Sequence, residues 1–319
     1  MIKSVFLDYA TLSTGDLDPG ALQRAAPGLT LLEAAHQHEV VERIAGHAIV
    51  MLNKLRITRE IIERSPDLRL VVLSATGTNN VDLEAARERG LAVCNVVDYC
   101  TPSVVQHVLG VLLSLTHRLP TYSREARDGT WAHSRHFTLL NHPIRELCGR
   151  SLGIVGWGVL GKAVARACES ALGMQVLVAQ RPGSDPSPGR MELDALLAQA
   201  DVVSLHCPLT PATTHLIDAR RLALMKPDAV LINTARGALV DLAALAAALA
   251  QGKIGGAAID VLPQEPPLDG SPLFGCTLEN LLITPHIAWA AVESRQRCLD
   301  EVAANVADWL AGGTRRRVV

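Results

Sequence analysis

The chain has 319 residues, of which 49% are hydrophobic and 19% are charged, and its formal net charge is −2. This composition predicts a folded globular protein rather than a disordered one, and the length favours two domains, each with its own core. Because the net charge is close to zero, we expect neither nucleic acid nor an anionic membrane surface as a partner.

The cysteines and the most apolar segment bear on location. Seven cysteines without a CxxC pair, and no stretch that resembles a secretory leader, predict a cytoplasmic protein. The most apolar stretch, residues 104–115, is too short to span a bilayer and contains Gln106, His107 and Ser114. We therefore interpret it as a buried helix.

Short apolar runs alternate with helix-like segments along the whole chain. In the first 98 residues, strands are predicted at 2–7, 29–32, 48–51, 70–73 and 92–94. Farther on, runs that are apolar at nearly every position predict strands at 152–155, 176–179, 202–205, 230–232, 257–259 and 281–283. Such runs are typical of parallel strands covered on both faces. The sequence therefore predicts an α/β protein with a doubly wound sheet of six strands and a second, smaller α/β unit.

The end of the chain is predicted to return to the first unit. An amphipathic helix is expected at residues 293–310, and Arg315, Arg316 and Arg317 beyond it are interpreted as a solvated helix end or frayed tail. The predicted domains are residues 1–98 with 288–319, and residues 99–287. A loop rich in proline and glycine at residues 181–190 excludes regular structure there.

A glycine fingerprint is the most specific motif in the chain. Gly156, Gly158 and Gly161 follow the predicted strand 152–155 and open a helix-like segment at 162–171. In this context the first glycine permits a tight turn, the second lets a pyrophosphate approach the backbone, and the third allows close packing of helix on strand. The motif predicts a dinucleotide site at a helix N-terminus.

Three strand ends each carry a chemically apt side chain: Arg236, Glu265 and His286. Taken singly, each has an ordinary alternative as an ion-pair partner, a solvated turn residue or a backbone cap. Ligands of open α/β sheets bind beyond the carboxyl ends of the strands. Because the three side chains occur at successive strand ends, in a chain with a nucleotide fingerprint, we predict that they meet in one catalytic site.

At these residues the chain resembles the D-2-hydroxyacid dehydrogenase family. The motifs that match are residues 153–158 (GIVGWG), 205–210 (LHCPLT), 231–237 (LINTARG), 258–261 (AIDV) with Glu265 and Pro266, and 284–286 (TPH). The resemblance implies a Rossmann nucleotide-binding domain inserted in a flavodoxin-like substrate domain. It also implies that Arg236 holds a substrate carboxylate and carbonyl, that His286 is the general acid and base, and that Glu265 orients His286 and favours its imidazolium.

The same resemblance assigns the remaining site residues. The cofactor would be bound by Gly156, Gly158, Val159, Leu160 and Gly161, lined by Cys207, Pro208, Thr234 and Ala235, and contacted at its nicotinamide carboxamide by Asp260. The substrate would be bound by Asn53, Thr76, Gly77 and Thr78 together with Arg236. The sequence of this last loop is most similar to that of the glycerate dehydrogenase or hydroxypyruvate reductase branch. This resemblance implies that hydroxypyruvate, and glyoxylate less efficiently, are the substrates.

The expected NAD(P)H cofactor is less closely defined. The family places an aspartate at the end of the second strand to accept from the ribose hydroxyls, and this chain has Gln180 followed by Arg181. Without that carboxylate, a 2′-phosphate is not repelled and Arg181 can bind it, so NADPH or dual use is favoured over strict NADH. The alternative is that Arg181 is solvated and Gln180 accepts the ribose hydroxyl alone.

Other readings stay open. One alternative is a dehydrogenase with another 2-hydroxyacid specificity. The other is a nucleotide-sensing binding protein like the corepressors that share this fold. His133, His136 and His142 lack the spacing of known metal ligands, so no metal is predicted, and their segment is expected to pack against a partner subunit. Related enzymes are generally dimers joined through this region, which implies a homodimer.

Overall fold

The computed structural model describes residues 2–26, 28–185, 187–268, 270–274 and 279–319. The chain divides into two units, Met1–Cys100 with Trp289–Val319, and Thr101–Ala288. The two crossings fall two residues and one residue later than the predicted boundaries.

The first unit is built on a parallel sheet of five strands: β1 (Ser4–Phe6), β2 (Leu29–Leu31), β3 (Ile49–Leu52), β4 (Leu70–Leu73) and β5 (Ala92–Cys94). Their order is β2-β1-β3-β4-β5, as in flavodoxin-like folds. Alternate residues enter two separate cores: Val5, Val50 and Val71 lie in one, and Phe6 and Met51 lie in the other. The helices that follow β1 to β4 are α1 (Gly20–Ala25), α2 (Val40–Ile44), α3 (Arg59–Arg64) and α4 (Leu83–Arg89).

The second unit contains a parallel sheet of six strands: β6 (Ser151–Val155), β7 (Gln175–Val178), β8 (Val202–Leu205), β9 (Val230–Asn233), β10 (Gly256–Ile259) and β11 (Leu281–Ile283). The helices are α5 (Thr101–Thr116), α6 (Leu119–Arg127), α7 (Val159–Leu172), α8 (Leu193–Gln199), α9 (Ala219–Leu222) and α10 (Leu242–Ala250). The strand order is β11-β10-β9-β8-β6-β7. Because β7 and β8 lie on opposite sides of β6, the winding reverses at β6, and this is where such sheets bind ligands.

The predicted fold class is confirmed. Every predicted strand is present, with ends displaced by no more than two residues. The apolar stretch at 104–115 forms most of α5. In the described residues, no helix has the length and apolarity to cross a membrane.

The last helix, α11 (Val292–Leu310), belongs to the first unit. Its buried residues Cys298, Leu299, Val302 and Val306 join the core formed by Phe6 and Met51. After it the chain turns back to the sheet. Val318 N donates to Val93 O at 2.7 Å, and Val93 N donates to Val319 O at 3.3 Å. Cys94 pairs with Arg317 in antiparallel register.

Arg315, Arg316 and Arg317 are exposed, as expected of a solvated end, but the expectation of a frayed tail is wrong because the backbone is paired with β5. The backbone of residues 317–319 satisfies groups at the edge of β5 that would otherwise be unpaired. Arg315 forms an ion pair with Glu301 at 2.8 Å. The sequence of the tail could not predict this pairing, because it depends on the unpaired edge of β5 and not on the tail residues themselves.

Removal of residues 317–319 tests this pairing. We expect the truncated chain to lose about 1–3 kcal/mol of unfolding free energy, since it loses backbone hydrogen bonds, and to show faster hydrogen exchange at the Val93 amide. The Val203 amide, in the other sheet, should be unaffected. Arg316→Ala with Arg317→Ala is the control, because it removes the charges and keeps the backbone. Unchanged exchange at Val93 would show that the tail does not pair.

Candidate active site

The glycine loop after β6 has three glycines in three different situations. Gly156 has φ of 105°, and a Cβ built on it would lie 2.5 Å from Cys207 N. A Cβ on Gly161 would lie 2.0 Å from Gly156 O. These two glycines therefore allow the glycine loop to pack on the loop after β8 and on itself.

Gly158 differs, because a Cβ on it would meet nothing within 4 Å. It is the N-cap of α7 and makes no side-chain cap. The amides of Gly158, Val159 and Leu160 donate to no other group in the described ranges. Free amides at the positive end of a helix form an anion site, and the open space above Gly158 gives a phosphate access to it.

A cavity of about 650 Å³ lies beyond the carboxyl ends of β6, β7 and β8. Its volume is in the range of small-molecule and cofactor sites. The residues that line it come from the glycine loop, the loop after β7 and the loop after β8: Val155–Gly158, Ala179, Gln180, Arg181, Pro182, Ser184, Ser187, Arg190, His206, Cys207, Pro208, Thr210, Ala212, Thr213 and Leu216. No carboxylate is among these lining residues, whereas two guanidinium groups are.

Gln180 holds the loop after β7 together. Its Nε2 donates to Ser184 Oγ at 2.7 Å and to the carbonyl of Asp185, and its Oε1 accepts from Ser187 N at 3.3 Å. The side chain is buried, so its amide is already hydrogen-bonded within the loop. The structure thus gives Gln180 an internal partner for each end of its amide, which sequence reasoning did not anticipate.

His206 and Cys207 form the opposite wall. Ser204 Oγ lies 2.9 Å from His206 Nε2, and burial lowers the pKa of His206 to about 4, so its ring is neutral near pH 7. Burial raises the pKa of the Cys207 thiol to about 11. A thiol that stays protonated is a poor nucleophile, which agrees with a lining role for Cys207.

Arg236 is presented by a turn that begins at the end of β9. The buried Asn233 donates from Nδ2 to Arg236 O at 2.9 Å and accepts from Ala235 N at 3.1 Å. The Arg236 side chain is exposed, with Nη1 donating to Ala235 O at 2.7 Å. A Cβ on the next residue, Gly237, would lie 2.0 Å from Leu262 C. The turn that carries Arg236 therefore packs directly on the loop after β10.

That loop carries Glu265, and Glu265 contacts His286. Glu265 Oε1 accepts from Leu262 N at 2.8 Å, while Oε2 lies 2.6 Å from His286 Nδ1. His286 has φ of 56°, and its backbone N donates to Asp260 O at 2.8 Å. With Nδ1 facing a carboxylate, Nε2 is the ring atom left to exchange a proton.

Asp260 fixes the segment around His286. Its buried carboxylate accepts from Thr284 Oγ1 at 2.6 Å, Ile287 N at 2.9 Å and Ala288 N at 3.0 Å. The sequence predicted that Asp260 contacts the nicotinamide. In the structure its carboxylate accepts from these three protein donors. His107 Nε2 lies 3.3 Å from Thr284 Oγ1. The sequence feature that could have identified His107 is the presence of a titratable residue within the apolar stretch 104–115.

Thr234 offers an unused polar atom. Its Oγ1 is buried and has no hydrogen-bond partner among the described residues. Buried hydroxyls are normally hydrogen-bonded. This orphan lies in the turn after β9, beside Ala235, where a cofactor was predicted to bind.

In the first unit, the predicted substrate loop offers backbone donors. Thr76 Oγ1 donates to Val96 O at 2.8 Å, whereas the amides of Thr76, Gly77 and Thr78 donate to no group in the part of the chain that is described. Asn53 Nδ2 donates to Thr11 Oγ1 at 3.0 Å. Asn53 and Lys54 donate their backbone amides to Asp8, each at 2.8 Å.

Asp8 was not singled out in the sequence. It lies just beyond β1, and burial raises the pKa of its carboxyl although the amides that it accepts from oppose this. Its role here is to fix the loop after β3.

The three histidines after α6 do not converge on one site. His142 Nε2 lies 2.7 Å from Glu125 Oε1, and His133 Nδ1 lies 2.7 Å from Gly129 O. Within the described ranges, no cluster of three histidine, cysteine or acidic side chains could hold a metal ion.

Comparison with known proteins identifies the family. A model of the D-isomer specific 2-hydroxyacid dehydrogenase NAD-binding domain matches residues 109–288. The chain belongs to the D-2-hydroxyacid dehydrogenase family. A glycerate dehydrogenase of Methylorubrum extorquens is 44% identical over 86% of each chain. A hydroxypyruvate reductase of Blautia hydrogenotrophica is 36% identical over 98% of each chain.

Among solved structures, the chain is similar to an NADPH-dependent glyoxylate/hydroxypyruvate reductase of Sinorhizobium meliloti in complex with NADP and malonate. The TM-score is 0.82 and the identity is 27%, covering 100% of this dehydrogenase and 97% of the other chain. The residues present here fit a nicotinamide dinucleotide, since the free amides beside the open space at Gly158 and the orphaned Thr234 hydroxyl are polar groups that a ligand would satisfy.

The two glycines of the helix end give a matched pair of variants. Gly158→Ala should change the unfolding free energy by less than about 0.5 kcal/mol, yet weaken NADPH binding about tenfold or more, because its methyl group fills the phosphate position. Gly161→Ala should lose about 1–3 kcal/mol of stability, because its methyl group meets backbone. Urea unfolding and tryptophan fluorescence titration measure the two effects. Equal binding by Gly158→Ala and wild type would contradict a phosphate at this helix end.

Proposed function

We propose that the chain catalyses reduction of hydroxypyruvate to D-glycerate, and of glyoxylate to glycolate less efficiently, with NAD(P)H. The 2.6 Å contact between His286 Nδ1 and Glu265 Oε2 carries the proposal, because it prepares an imidazole to give and take a proton. The names of the Methylorubrum and Blautia relatives support this choice of substrate.

A nicotinamide dinucleotide held by the amides of Gly158, Val159 and Leu160 would supply the hydride for reduction of the carbonyl carbon. His286 donates the proton from Nε2 to the carbonyl oxygen as negative charge develops there. Glu265 fixes the orientation of the ring through its contact with Nδ1. In the oxidative direction, His286 Nε2 takes the proton from the hydroxyl group.

Groups suited to a carboxylate are present in each unit. Arg236 is exposed and offers a planar fork that matches a carboxylate and an adjacent carbonyl oxygen. The free amides of Thr76, Gly77 and Thr78 form an anion-receiving loop in the first unit. A small substrate with a hydroxyl group suits a loop whose side chains are short and polar.

The cofactor is proposed to be NADPH, or either nicotinamide dinucleotide. Arg181 lines the cavity at the end of β7, and no carboxylate lies among the lining residues to repel a 2′-phosphate. The NADP complex of the Sinorhizobium enzyme supports this choice. Localisation is proposed to be cytoplasmic.

Initial rates of NADPH and NADH oxidation with hydroxypyruvate, glyoxylate and pyruvate test the proposal. His286→Asn, which tolerates the left-handed backbone, should lower kcat by about 10²–10⁴-fold while NADPH binding is retained. Glu265→Gln should lower kcat by about tenfold to hundredfold, because a charged acceptor is lost. Glu63→Gln, on the exposed face of α3, is the control. Tight dinucleotide binding without turnover of any 2-oxo acid would instead indicate a nucleotide-sensing protein.

We also propose a homodimer joined through the segment after α5. Leu119, Trp131, Phe137, Leu140 and Ile144 are exposed here, Phe137 by 90% and Leu140 by 83%. Four of them line an apolar cavity of about 460 Å³. Apolar patches of this kind mark protein interfaces, and the family resemblance implies a second copy of this chain as the occupant.

Sedimentation of Phe137→Asp with Leu140→Asp tests this interface. We expect wild type to sediment as a dimer and the double variant as a monomer, since a buried charge at each position opposes association. Leu268→Asp is the matched control, because Leu268 is 79% exposed and lies outside the segment. A wild-type monomer, or a double variant that remains a dimer, would contradict the assignment.

A further inference from the structure

A second arginine reaches the dinucleotide cavity from a distant part of the same loop. Arg190 lies nine residues after Arg181 and lines the cavity with it. The backbone at this point is fixed by pairing with the end of β7. Gln180 N donates to Met191 O at 2.7 Å, Met191 N donates to Val178 O at 2.9 Å, and Ala179 pairs with Met191 in parallel register. Arg190 is therefore held beside the strand end, unlike a residue on a free loop.

Its side chain is placed by two contacts. The guanidinium carbon lies 5.7 Å from the centroid of the Trp157 ring, within the distance of a cation–π interaction. Nη1 lies 3.4 Å from Ala179 O. These contacts position the guanidinium between the glycine loop and the end of β7. Of the five N–H donors of the guanidinium, only one is used within the described residues, in the contact with Ala179 O. The Trp157 ring attracts the positive charge and takes no directed hydrogen bond.

The charge of Arg190 is not neutralised by the protein. No ion pair in the described ranges includes Arg190 or Arg181, and the lining residues include no carboxylate. Two cations that share a polar cavity repel each other unless an anion joins them. Both arginines line the cavity at the end of β7, where this fold binds the ribose of a dinucleotide.

We propose that Arg190, with Arg181, binds the 2′-phosphate of a phosphorylated nicotinamide dinucleotide and so determines cofactor choice. This rests on the proposed function, because it requires that the cavity holds a dinucleotide. The diphosphate of the same ligand is received by the amides above Gly158, at the start of α7. Arg190 contacts Ala179, beyond the end of β7, and its guanidinium lies over the Trp157 ring.

Binding of two hydride-inactive fragments tests the assignment without turnover. Wild type, Arg190→Leu and Arg190→Lys are titrated calorimetrically with ADP-ribose and with 2′-phospho-ADP-ribose. We expect Arg190→Leu to weaken the phosphorylated fragment about tenfold or more, the effect of one charge-assisted hydrogen bond, and to leave ADP-ribose nearly unchanged. Arg190→Lys should be intermediate, because it keeps the charge and loses the planar fork.

Arg166→Leu is the matched control, because Arg166 lies on the exposed face of α7, outside the cavity, and the substitution removes the same charge. Equal weakening of both fragments by Arg190→Leu would place Arg190 on the diphosphate and overturn the proposal, as would no weakening of either. Failure of wild type to bind both fragments would instead contradict the proposed function, since the cavity would not be a dinucleotide site.

Discussion

The segment that carries His286 depends on one buried carboxylate. Asp260, at the end of β10, accepts hydrogen bonds from Thr284, Ile287 and Ala288, which flank His286 on both sides. A buried carboxylate is stable only when such donors replace water. In return, the three bonds fix a left-handed backbone at His286 that an ordinary loop would not hold. The imidazole therefore meets Glu265 in a geometry set before any ligand binds.

The arginine is tied to the same framework through backbone packing. Gly237 lets the turn after β9 press against Leu262, and Leu262 in turn donates its amide to Glu265. Arg236, Glu265 and His286 are thus linked by a chain of short contacts between neighbouring strand ends. Preorganisation of this kind is what catalysis requires of a site, since reactive groups must be held to within a fraction of an ångström.

The strands and the glycine loop were predictable because their physics is local. In residues 202–205, every position is buried and all but one are apolar, so the sequence itself indicates a strand covered on both faces. Gly156 and Gly161 were predictable because only glycine fits their positions. The roles of Gln180 and Asp260 were not predictable, since both depend on which backbone groups the fold brings to them. The Arg190–Trp157 contact likewise depends on the pairing of Met191 with the end of β7, a register that no local pattern encodes.

The sheet separates the two tasks of the proposed enzyme. The ends of β9, β10 and β11 carry Arg236, Glu265 and His286, whereas the ends of β6, β7 and β8 surround the cavity with its two arginines. The winding reverses at β6, which opens the crevice between these groups of loops. Because the loop after β7 makes its hydrogen bonds within itself and to β7, its cations can vary without disturbing the hydrogen bonds that orient His286. In the proposed mechanism, cofactor choice and proton transfer therefore depend on separate loops at one edge of the sheet.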